Sequence, residues 1–237
     1  MDGERFAVVM TADGSPTIQD LTHPQREWMH HRGGAYQETQ YIYGEAIRAV
    51  LARCTHPRFL VVGLGLGYIE ILIACEWLKI SRADTCRILS FEADENWRTN
   101  FQQWCQGRPT ALDAIYQLRD QKFQQDYPQQ MRHAPAWLQQ FLELHGQLDR
   151  LPQWQGQIHG ILYDAYSAKT SPDLWQETFL MALIQHYAAS PCLFVTYAST
   201  GSLKRALTAC GFTLHQRAGF AGKKASTWAT RGWELQG

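Results

Sequence analysis

Short apolar runs alternate along the chain with longer stretches in which apolar residues recur every three or four positions. Runs dominated by apolar residues at 59–62, 88–92 and 158–164 are typical of strands buried on both faces of a parallel sheet. The stretch 37–53 and the one that follows Gly67 have helical periodicity instead. This alternation predicts an α/β fold, in which helices cover both faces of a sheet.

The second half of the chain continues the alternation but ends differently. Ser171, Pro172 and Asp173 supply an N-cap, a first-turn proline and an acid favoured by the helix dipole, which predicts a helix over 174–188. A later helix is predicted to end at Gly211. The remaining predicted strands span 141–145, 192–197, 212–217 and 226–230. The last two predict an antiparallel pair on an otherwise parallel seven-stranded sheet.

The N-terminal region is predicted to be an elaboration of this fold rather than a second domain. Residues 6–10 and 17–19 flank a turn-rich segment and are typical of a β-hairpin. We divide the chain into an N-terminal hairpin and helix over 1–54 and a Rossmann-like domain over 55–237. Within that domain, the insert 97–140 is rich in Gln, Trp and Arg, and we expect irregular helices that cover one sheet face or the mouth of a site.

Composition narrows the classes of function. The 22 Lys and Arg residues balance 22 Asp and Glu residues, so any nucleic-acid contact must use local patches. The six cysteines lack Cys-x-x-Cys spacing, and no metal site is predicted. No apolar run approaches the roughly 20 residues that cross a bilayer, and the polar start lacks the pattern of a secretory signal. We expect a cytoplasmic protein with no membrane partner.

The glycine-rich segment after the first core strand is the strongest sign of a ligand site. Gly63, Leu64, Gly65 and Gly67 predict a strand, a tight turn and then a helix, a geometry that lets the backbone approach a nucleotide-like ligand closely. Glu92 ends the next strand, at the position where a βαβ unit presents an acid to ribose hydroxyls. Together they predict a nucleotide-like cofactor.

Several motifs occur in order along the chain and together resemble one family. They are Asp13-Gly14-Ser15-x-Thr17, Arg32-x-Gly34-Ala35-x-x-Glu38, the glycine turn, Asp164-Ala165-Tyr166-Ser167 with Pro172-x-x-Trp175, and Gly211-Phe212 with Gly219-Phe220-x-x-Lys223-Lys224. The chain resembles the MnmC/MnmD methyltransferases over nearly its whole length. The resemblance implies a class I methyltransferase fold and S-adenosyl-L-methionine as cofactor. It also implies conversion of a 5-aminomethyl group on the wobble uridine of tRNA into 5-methylaminomethyl.

The resemblance implies roles for individual residues. The glycines of the turn, with Leu64, would line the methionine part of the cofactor, and Glu92 would hold its ribose. Asp164 would stand at the reaction centre with Tyr166 beside it. Tyr36 and Glu38 belong to a stretch packed over the site and would contact methionine or substrate.

Some positions depart from the family pattern. Tyr68 and Ile69 replace a Leu-Asn pair, which removes one polar contact at the helix start. Gln147 replaces an acid that would face the adenine, although its amide still offers hydrogen bonds. The flavin oxidoreductase domain that is fused to some family members has no counterpart in this sequence, so methyl transfer is the expected activity.

The expected partner is a tRNA anticodon loop, whose single-stranded bases can stack on aromatic side chains. Candidates for phosphate contacts are Arg32, Lys204, Arg205, Lys223 and Lys224. Asp164 is expected to orient the aminomethyl nitrogen and accept its proton, because a protonated amine has no lone pair for attack.

Two other functions remain open at this stage. In the first, a protein of the same fold methylates a small-molecule amine. In the second, the departures at Ile69 and Gln147 mark an RNA-binding or scaffold module that has lost the cofactor. A nicotinamide oxidoreductase is disfavoured, since the terminal strand pair and the Asp164–Ser167 motif have no obvious use in one.

Overall fold

In the computed structural model, the described residues are 6–21, 27–80 and 82–233. The polar start of the chain, residues 1–5, lies outside them. The strands are β1 Phe6–Met10, β2 Pro16–Asp20, β3 Arg58–Val62, β4 Arg87–Phe91, β5 Leu142–His145, β6 Ile158–Tyr163, β7 Ala188–Thr196, β8 Thr213–Arg217 and β9 Ser226–Arg231. The first two form the predicted antiparallel hairpin.

The other strands form a sheet with the order β5-β4-β3-β6-β7-β9-β8. The strands from β5 to β7 in this order run parallel, whereas β9 runs antiparallel to both β7 and β8. This confirms the predicted seven-stranded, mostly parallel sheet with its antiparallel C-terminal strand. The order reverses between β3 and β6, and open α/β sheets bind their ligands beyond the carboxyl ends of strands at such a point.

Helices cover both faces of the sheet. They are α1 Ala35–Thr39, α2 Glu45–Arg53, α3 Tyr68–Lys79, α4 Glu95–Cys105, α5 Asp113–Asp126, α6 Ala134–Phe141, α7 Glu177–Tyr187 and α8 Gly201–Ala209. A π-helical segment, Gln40–Gly44, joins α1 to α2. None of the helices among the described residues is long and apolar enough to span a bilayer.

The central strand shows why the chain folds this way. Phe59 and Val61 of β3 lie in one apolar cluster, and Leu60 and Val62 lie in the other. Successive side chains of a strand point to opposite faces, so a continuous apolar run gives two buried faces. The insert helices contribute to the first cluster, which confirms that they cover one face of the sheet.

Two expectations about helices were wrong. The insert forms the regular helices α4, α5 and α6 rather than irregular ones, because side chains such as Phe123 and Leu138 are fully buried beneath them. The helix expected over 174–188 begins at Glu177 instead, after a 3₁₀ turn at Pro172–Trp175. Hydrogen bonds from Trp175 Nε1 to the Tyr166 carbonyl and from the Tyr163 hydroxyl to the Leu174 carbonyl tie this turn to the end of β6.

Candidate active site

A cavity of about 1010 Å³ lies at the carboxyl ends of the parallel strands. Its walls come from the loops after β3, β4, β5 and β6, from the segment 27–32 and from Lys223 near β9. The volume is at the upper end of the roughly 300–1,000 Å³ that is usual for small-molecule sites. It is therefore large enough to hold a nucleotide-like molecule together with part of a second ligand.

The glycine turn forms the centre of the cavity wall. Gly63 has φ of 95°, in the region that favours glycine. A Cβ atom at Gly63 would lie 2.6 Å from the carbonyl oxygen of Asp164. The backbone N–H of Asp164 donates to the Val62 carbonyl at 2.8 Å. The ends of β3 and β6 are therefore in direct backbone contact, with no room for a side chain between them.

Glu92 fixes the glycine turn from the next strand. Its Oε2 accepts a hydrogen bond from the Gly65 N–H at 3.1 Å, and its Oε1 accepts one from the Asp94 N–H at 2.9 Å. Burial raises the pKa of Glu92, against the effect of these two N–H donors. The carboxylate lines the cavity where the sequence predicts a ribose-binding acid.

The insert holds the other side of the same turn through Arg119, a residue that the sequence analysis missed. Its side chain is fully buried, and Nη1 donates to the Leu66 carbonyl at 2.5 Å. The guanidinium lies 4.3 Å from the ring centre of Trp104 and 4.2 Å from that of Tyr116, and it pairs with Asp120 at 2.7 Å. Stacking and pairing of this kind offset the cost of removing a guanidinium from water.

Asp164 directly follows β6 and lines the cavity. Its Oδ1 accepts a hydrogen bond from the hydroxyl of Tyr43 at 2.6 Å. Burial holds the pKa of Asp164 well above its usual range, and the negative charges of Glu38 and Glu70 act in the same direction. The Tyr43 hydrogen bond and the positive charge of Lys223 oppose this rise. Tyr43 is a second residue that the sequence analysis missed.

Glu38 brings a second carboxylate to the cavity. Its Oε2 accepts a hydrogen bond from the His31 N–H at 2.6 Å, and its Oε1 pairs with Lys223 Nζ at 3.2 Å. The Lys223 ammonium also lies 5.0 Å from the ring centre of Tyr197. The carboxylates of Asp164 and Glu38 therefore lie together along the cavity with Lys223 beside Glu38, an arrangement that suits a positively charged ligand group.

Glu27 fixes the loop that follows Asp164. It accepts hydrogen bonds from the Ser167 N–H at 3.2 Å, from the Ser167 hydroxyl at 3.0 Å and from the Thr170 hydroxyl. The segment before α1 is therefore part of the wall around the reaction centre expected at Asp164.

The structure brings most of the predicted site residues together. Those that line the cavity are Arg32, Glu38, Gly63, Leu64, Gly65, Glu92, Gln147, Asp164, Tyr166 and Lys223. Met29, between the hairpin and α1, also lines it, and its sulfur is the nearest atom to a Cβ built on Gly65, at 3.3 Å.

Other predicted residues lie elsewhere. Tyr36 donates its hydroxyl to Asp126 at 2.6 Å and packs on the ring of Phe123, so its side chain faces the insert. Gly67 serves packing, because a Cβ there would lie 2.0 Å from Phe101. Three exposed basic residues do not line the cavity: Lys204, Arg205 and Lys224.

Aromatic and basic side chains flank the cavity. The guanidinium of Arg32 lies 4.5 Å from the ring centre of Trp28, and both residues line the cavity. Phe220 packs against the rings of His31 and Tyr41, with centroid distances of 5.6 and 5.8 Å. Such combinations of cations and ring faces are typical of sites that bind unstacked bases.

The residues present fit S-adenosyl-L-methionine. The turn at Gly63 and Gly65 leaves the backbone open to close approach, and the Glu92 carboxylate can accept hydrogen bonds from ribose hydroxyls. Gln147 lines the cavity with an amide that can meet a base edge. Ile69 is buried in the core, so the helix start offers no polar side chain at that position. Among the described residues, no cluster of His, Cys, Asp or Glu has the arrangement of a metal site.

Comparisons with known proteins point to the same chemistry. A family model described as S-adenosyl-L-methionine-dependent methyltransferase matches residues 114–232. The crystal structure of MNMC2 from Aquifex aeolicus superposes with a TM-score of 0.69 at 19% identity, covering 99% of this chain and 72% of that one. At this identity the superposition shows a shared fold, which is the predicted class I methyltransferase fold.

Two sequence relatives carry the same name, tRNA 5-methylaminomethyl-2-thiouridine biosynthesis bifunctional protein MnmC. The protein of Idiomarina loihiensis is 29% identical over 213 residues, which cover 79% of this chain and 32% of that protein. The protein of Burkholderia mallei is 36% identical over 78 residues, which cover 33% of this chain and 12% of that protein. The chain thus spans about a third or less of the relatives it matches.

Proposed function

Because the chain belongs to the S-adenosyl-L-methionine-dependent methyltransferases of MnmC type, we propose that it methylates the amino group of 5-aminomethyl-2-thiouridine, or its 2-oxo counterpart, at the wobble position of tRNA. The product would be the 5-methylaminomethyl derivative that appears in the names of its relatives. The observation that carries this proposal is the meeting of Asp164 with the glycine turn at one cavity.

The cofactor and the substrate would occupy different parts of this cavity. The glycine turn and Glu92 form the part suited to S-adenosyl-L-methionine, and Gln147, which also lines the cavity, would meet the adenine. Asp164, Tyr166 and Glu38 form the part left for the acceptor. When bound, the cofactor supplies an electrophilic methyl group on a sulfonium sulfur, which leaves as a thioether.

Asp164 would accept the proton that the amine must lose. An ammonium group has no free electron pair, so the nitrogen attacks only after deprotonation. Because burial raises the pKa of Asp164, its basicity comes closer to that of an amine than an exposed carboxylate's would. The proton would pass from the ammonium nitrogen to Asp164 before the new carbon–nitrogen bond forms, and it would return to water after product release.

Selection of a charged amine follows from the same wall. Two carboxylates, Asp164 and Glu38, line the cavity, and Lys223 pairs with Glu38. An incoming aminomethyl group brings a positive charge that offsets their repulsion. Orientation against these acceptors would account for much of the rate, as is usual when two reactants are held together.

The flanking aromatic and basic side chains support a tRNA anticodon loop as the partner. Trp28 and Tyr166 offer ring faces at the cavity, and Arg32 and Lys223 offer charge beside them. Lys224 adds an exposed cation next to Lys223, whereas Lys204 and Arg205 lie on α8 away from the cavity. A cytoplasmic location, where tRNA is modified, is part of this proposal.

The neutral overall charge favours a second candidate, an amine acceptor smaller than tRNA. With 22 basic and 22 acidic residues, the chain lacks the general attraction that most RNA-binding proteins have for phosphates. In this alternative, the carboxylates would select the amine and the rim would contact no nucleic acid.

The test is transfer of a labelled methyl group from S-adenosyl-L-methionine to three acceptors. These are tRNA that carries the aminomethyl group, the same tRNA fully modified, and free 5-aminomethyl-2-thiouridine. We expect transfer to the first acceptor alone at micromolar concentration. Equal or faster transfer to the free nucleoside would favour the small-molecule candidate.

Calorimetric titration of S-adenosyl-L-methionine separates both candidates from a non-catalytic module. We expect micromolar binding, and about ten-fold weaker binding for Glu92→Ala, because the ribose hydroxyls lose a charged acceptor. Absence of binding by the unaltered protein would contradict an active methyltransferase.

A further inference from the structure

Tyr43 makes a short hydrogen bond to Asp164 from outside the cavity. The residue belongs to the π-helical segment Gln40–Gly44, and its ring is 2% exposed. Its hydroxyl donates to Asp164 Oδ1 at 2.6 Å and lies 3.4 Å from the Tyr163 carbonyl oxygen. Tyr43 does not line the cavity, so it touches Asp164 from behind. π-Helical segments are rare in proteins and frequently occur at functional sites.

The hydrogen bond distinguishes the two carboxylate oxygens of Asp164. Oδ1 is bound to Tyr43, and within the described parts of the chain no group donates a hydrogen bond to Oδ2. The backbone N–H of Asp164 donates to the Val62 carbonyl, so the main chain that carries the carboxylate is held in place. Binding one oxygen to a buried, rigid phenol therefore leaves the other for a ligand.

We propose that Tyr43 is a positioning residue for methyl transfer, which holds Asp164 Oδ1 so that Oδ2 meets the substrate amine. This inference rests on the proposed role of Asp164 as the proton acceptor. Tyr43 keeps its proton throughout, because burial and the neighbouring carboxylate raise the pKa of its hydroxyl well above the usual value. It therefore remains a donor while Asp164 gains and loses the amine proton.

The sign of its effect on Asp164 follows from the groups around the carboxylate. Glu38 of α1 and Glu70 of α3 raise the pKa of Asp164, while Lys223 and the Tyr43 hydrogen bond lower it. Tyr197, after β7, also interacts with Asp164, and it stays neutral because burial raises its pKa. Loss of the Tyr43 hydroxyl removes a stabilising contact of the ionised form, so the pKa of Asp164 rises further.

The chain contains a matched pair for a control. Tyr127 donates its hydroxyl to Glu76 Oε1, also at 2.6 Å, in a buried contact between the end of α5 and α3. Neither Tyr127 nor Glu76 lines the cavity. Tyr43→Phe and Tyr127→Phe thus each remove a 2.6 Å hydrogen bond from a phenol to a carboxylate, one at Asp164 and one outside the cavity. Tyr127→Phe also removes the hydrogen bond that Gln40 Nε2 donates to the Tyr127 hydroxyl at 3.2 Å.

The first experiment compares the pH dependence of kcat for the unaltered protein and both variants, with aminomethyl tRNA as acceptor. For Tyr43→Phe we expect kcat on the alkaline plateau to fall about ten-fold or more, because the carboxylate loses its fixed orientation. The acidic limb should also move to higher pH. Tyr127→Phe should change thermal stability only. A Tyr43→Phe profile that superposes on that of the unaltered protein would overturn the proposal.

A second experiment measures the pKa of Asp164 directly, in the absence of methyl transfer. The carboxyl carbon of Asp164 is followed by ¹³C NMR across pH in the protein alone, with Asp164→Asn used to assign the signal. We expect a higher pKa in Tyr43→Phe and an unchanged one in Tyr127→Phe. Equal values in all three proteins would contradict the inference, even where kcat falls through general destabilisation.

Incorporation of 3-fluorotyrosine at position 43 guards against a phenylalanine variant that does not fold. The fluorinated phenol is a stronger donor of the same shape, so the pKa of Asp164 and the acidic limb should move to lower pH. A shift in the other direction would overturn the proposal. If the unaltered protein transfers no methyl group to any acceptor, the proposed function fails, while the NMR titration still decides whether Tyr43 controls Asp164.

Discussion

The glycine turn lies between two side-chain groups of opposite charge type, Asp164 at the cavity and Arg119 of the insert. On the carboxylate side, Asp164 lines the open cavity with its hydrogen bond from Tyr43. On the insert side, the Arg119 guanidinium is buried against the rings of Trp104 and Tyr116 and donates a hydrogen bond to the Leu66 carbonyl. Among the residues that the structure describes, none donates a hydrogen bond to Asp164 Oδ2, whereas the Arg119 guanidinium is fully enclosed.

This difference in exposure suits Asp164 to proton transfer and Arg119 to structural support of the turn. A group that exchanges a proton with substrate must keep one face accessible. A group that only fixes backbone geometry is more effective when water and ligands cannot compete for its hydrogen bonds. Because Asp164 lines the cavity and Arg119 is enclosed, substitutions of the two residues should affect different measurements.

Asp164→Asn should have the largest effect on activity, because it replaces the carboxylate with an amide of nearly the same shape. We expect kcat to fall by about 10²–10⁴-fold with little change in binding of S-adenosyl-L-methionine, since the amide cannot accept the amine proton. The measurement is single-turnover methyl transfer together with calorimetry. Asp126→Asn is the control, because Asp126 also accepts a 2.6 Å hydrogen bond from a tyrosine but lies outside the cavity. Normal turnover by Asp164→Asn would remove it from the mechanism.

Arg119→Gln should remove the contact between the insert and the glycine turn. The Leu66 carbonyl loses its charged donor, so we expect the free energy of unfolding to drop by about 1–3 kcal/mol. The dissociation constant of S-adenosyl-L-methionine should rise about ten-fold as the turn loosens. Urea unfolding and calorimetry measure the two effects.

Arg82→Gln provides the comparison for that variant. Arg82 also donates to main-chain carbonyls, those of Leu51 and Cys54, and pairs with Asp84, but it does not line the cavity. It should lose stability without losing cofactor affinity. If both variants weaken binding equally, the link between the insert and the glycine turn is not specific.

Glu70 interacts electrostatically with both Asp164 and Arg119. Its substitution should have a smaller, pH-dependent effect on stability. It is fully buried, and burial raises its pKa to about 8, with Glu92 raising it and Arg119 lowering it. An acid whose pKa is higher in the folded state stabilises the fold below its unfolded pKa of 4.5 and loses that contribution as pH rises towards 8.

Glu70→Gln should remove this dependence. The amide oxygen can still accept the hydrogen bond that Ser90 now donates at 2.7 Å. We expect the variant to exceed the unaltered protein in stability at pH 8.5 and to lose that advantage at pH 5. Urea unfolding at the two pH values measures this, and parallel stability curves would contradict it.

The smallest effects should come from substitutions of two basic residues, Lys223 at the cavity and Arg205 on α8. Lys223→Ala removes the partner of Glu38 at the cavity, and we expect KM for tRNA to rise a few-fold, about the effect of one lost phosphate contact at moderate salt. Arg205→Ala is the control, because Arg205 is 65% exposed and pairs with Glu177 on the neighbouring helix. Equal KM increases for the two would place RNA on α8 as well.

The glycine turn, Glu92 and Asp164 could be predicted because each follows a buried strand in a short local pattern, and parallel strand ends converge. Tyr43 and Arg119 could not, since their partners lie 121 and 53 residues away and neither belongs to a motif. Tyr36 was expected at the site from its neighbours in sequence, but hydrogen bonding to Asp126 directs its ring towards the insert. Lys204 and Arg205 show that a basic pair on a helix does not reveal which way the helix faces.

The contact between Glu27 and the loop after Asp164 has a consequence for the order of synthesis. Glu27 is made early, whereas its partner Ser167 comes 140 residues later. At roughly 5–20 residues per second, this delay lasts on the order of ten seconds. The Glu27 carboxylate therefore lacks Ser167 and Thr170 as hydrogen-bond partners until β6 has been translated. A nascent chain that stops before Ser167 possesses the glycine turn but has no enclosed reaction chamber.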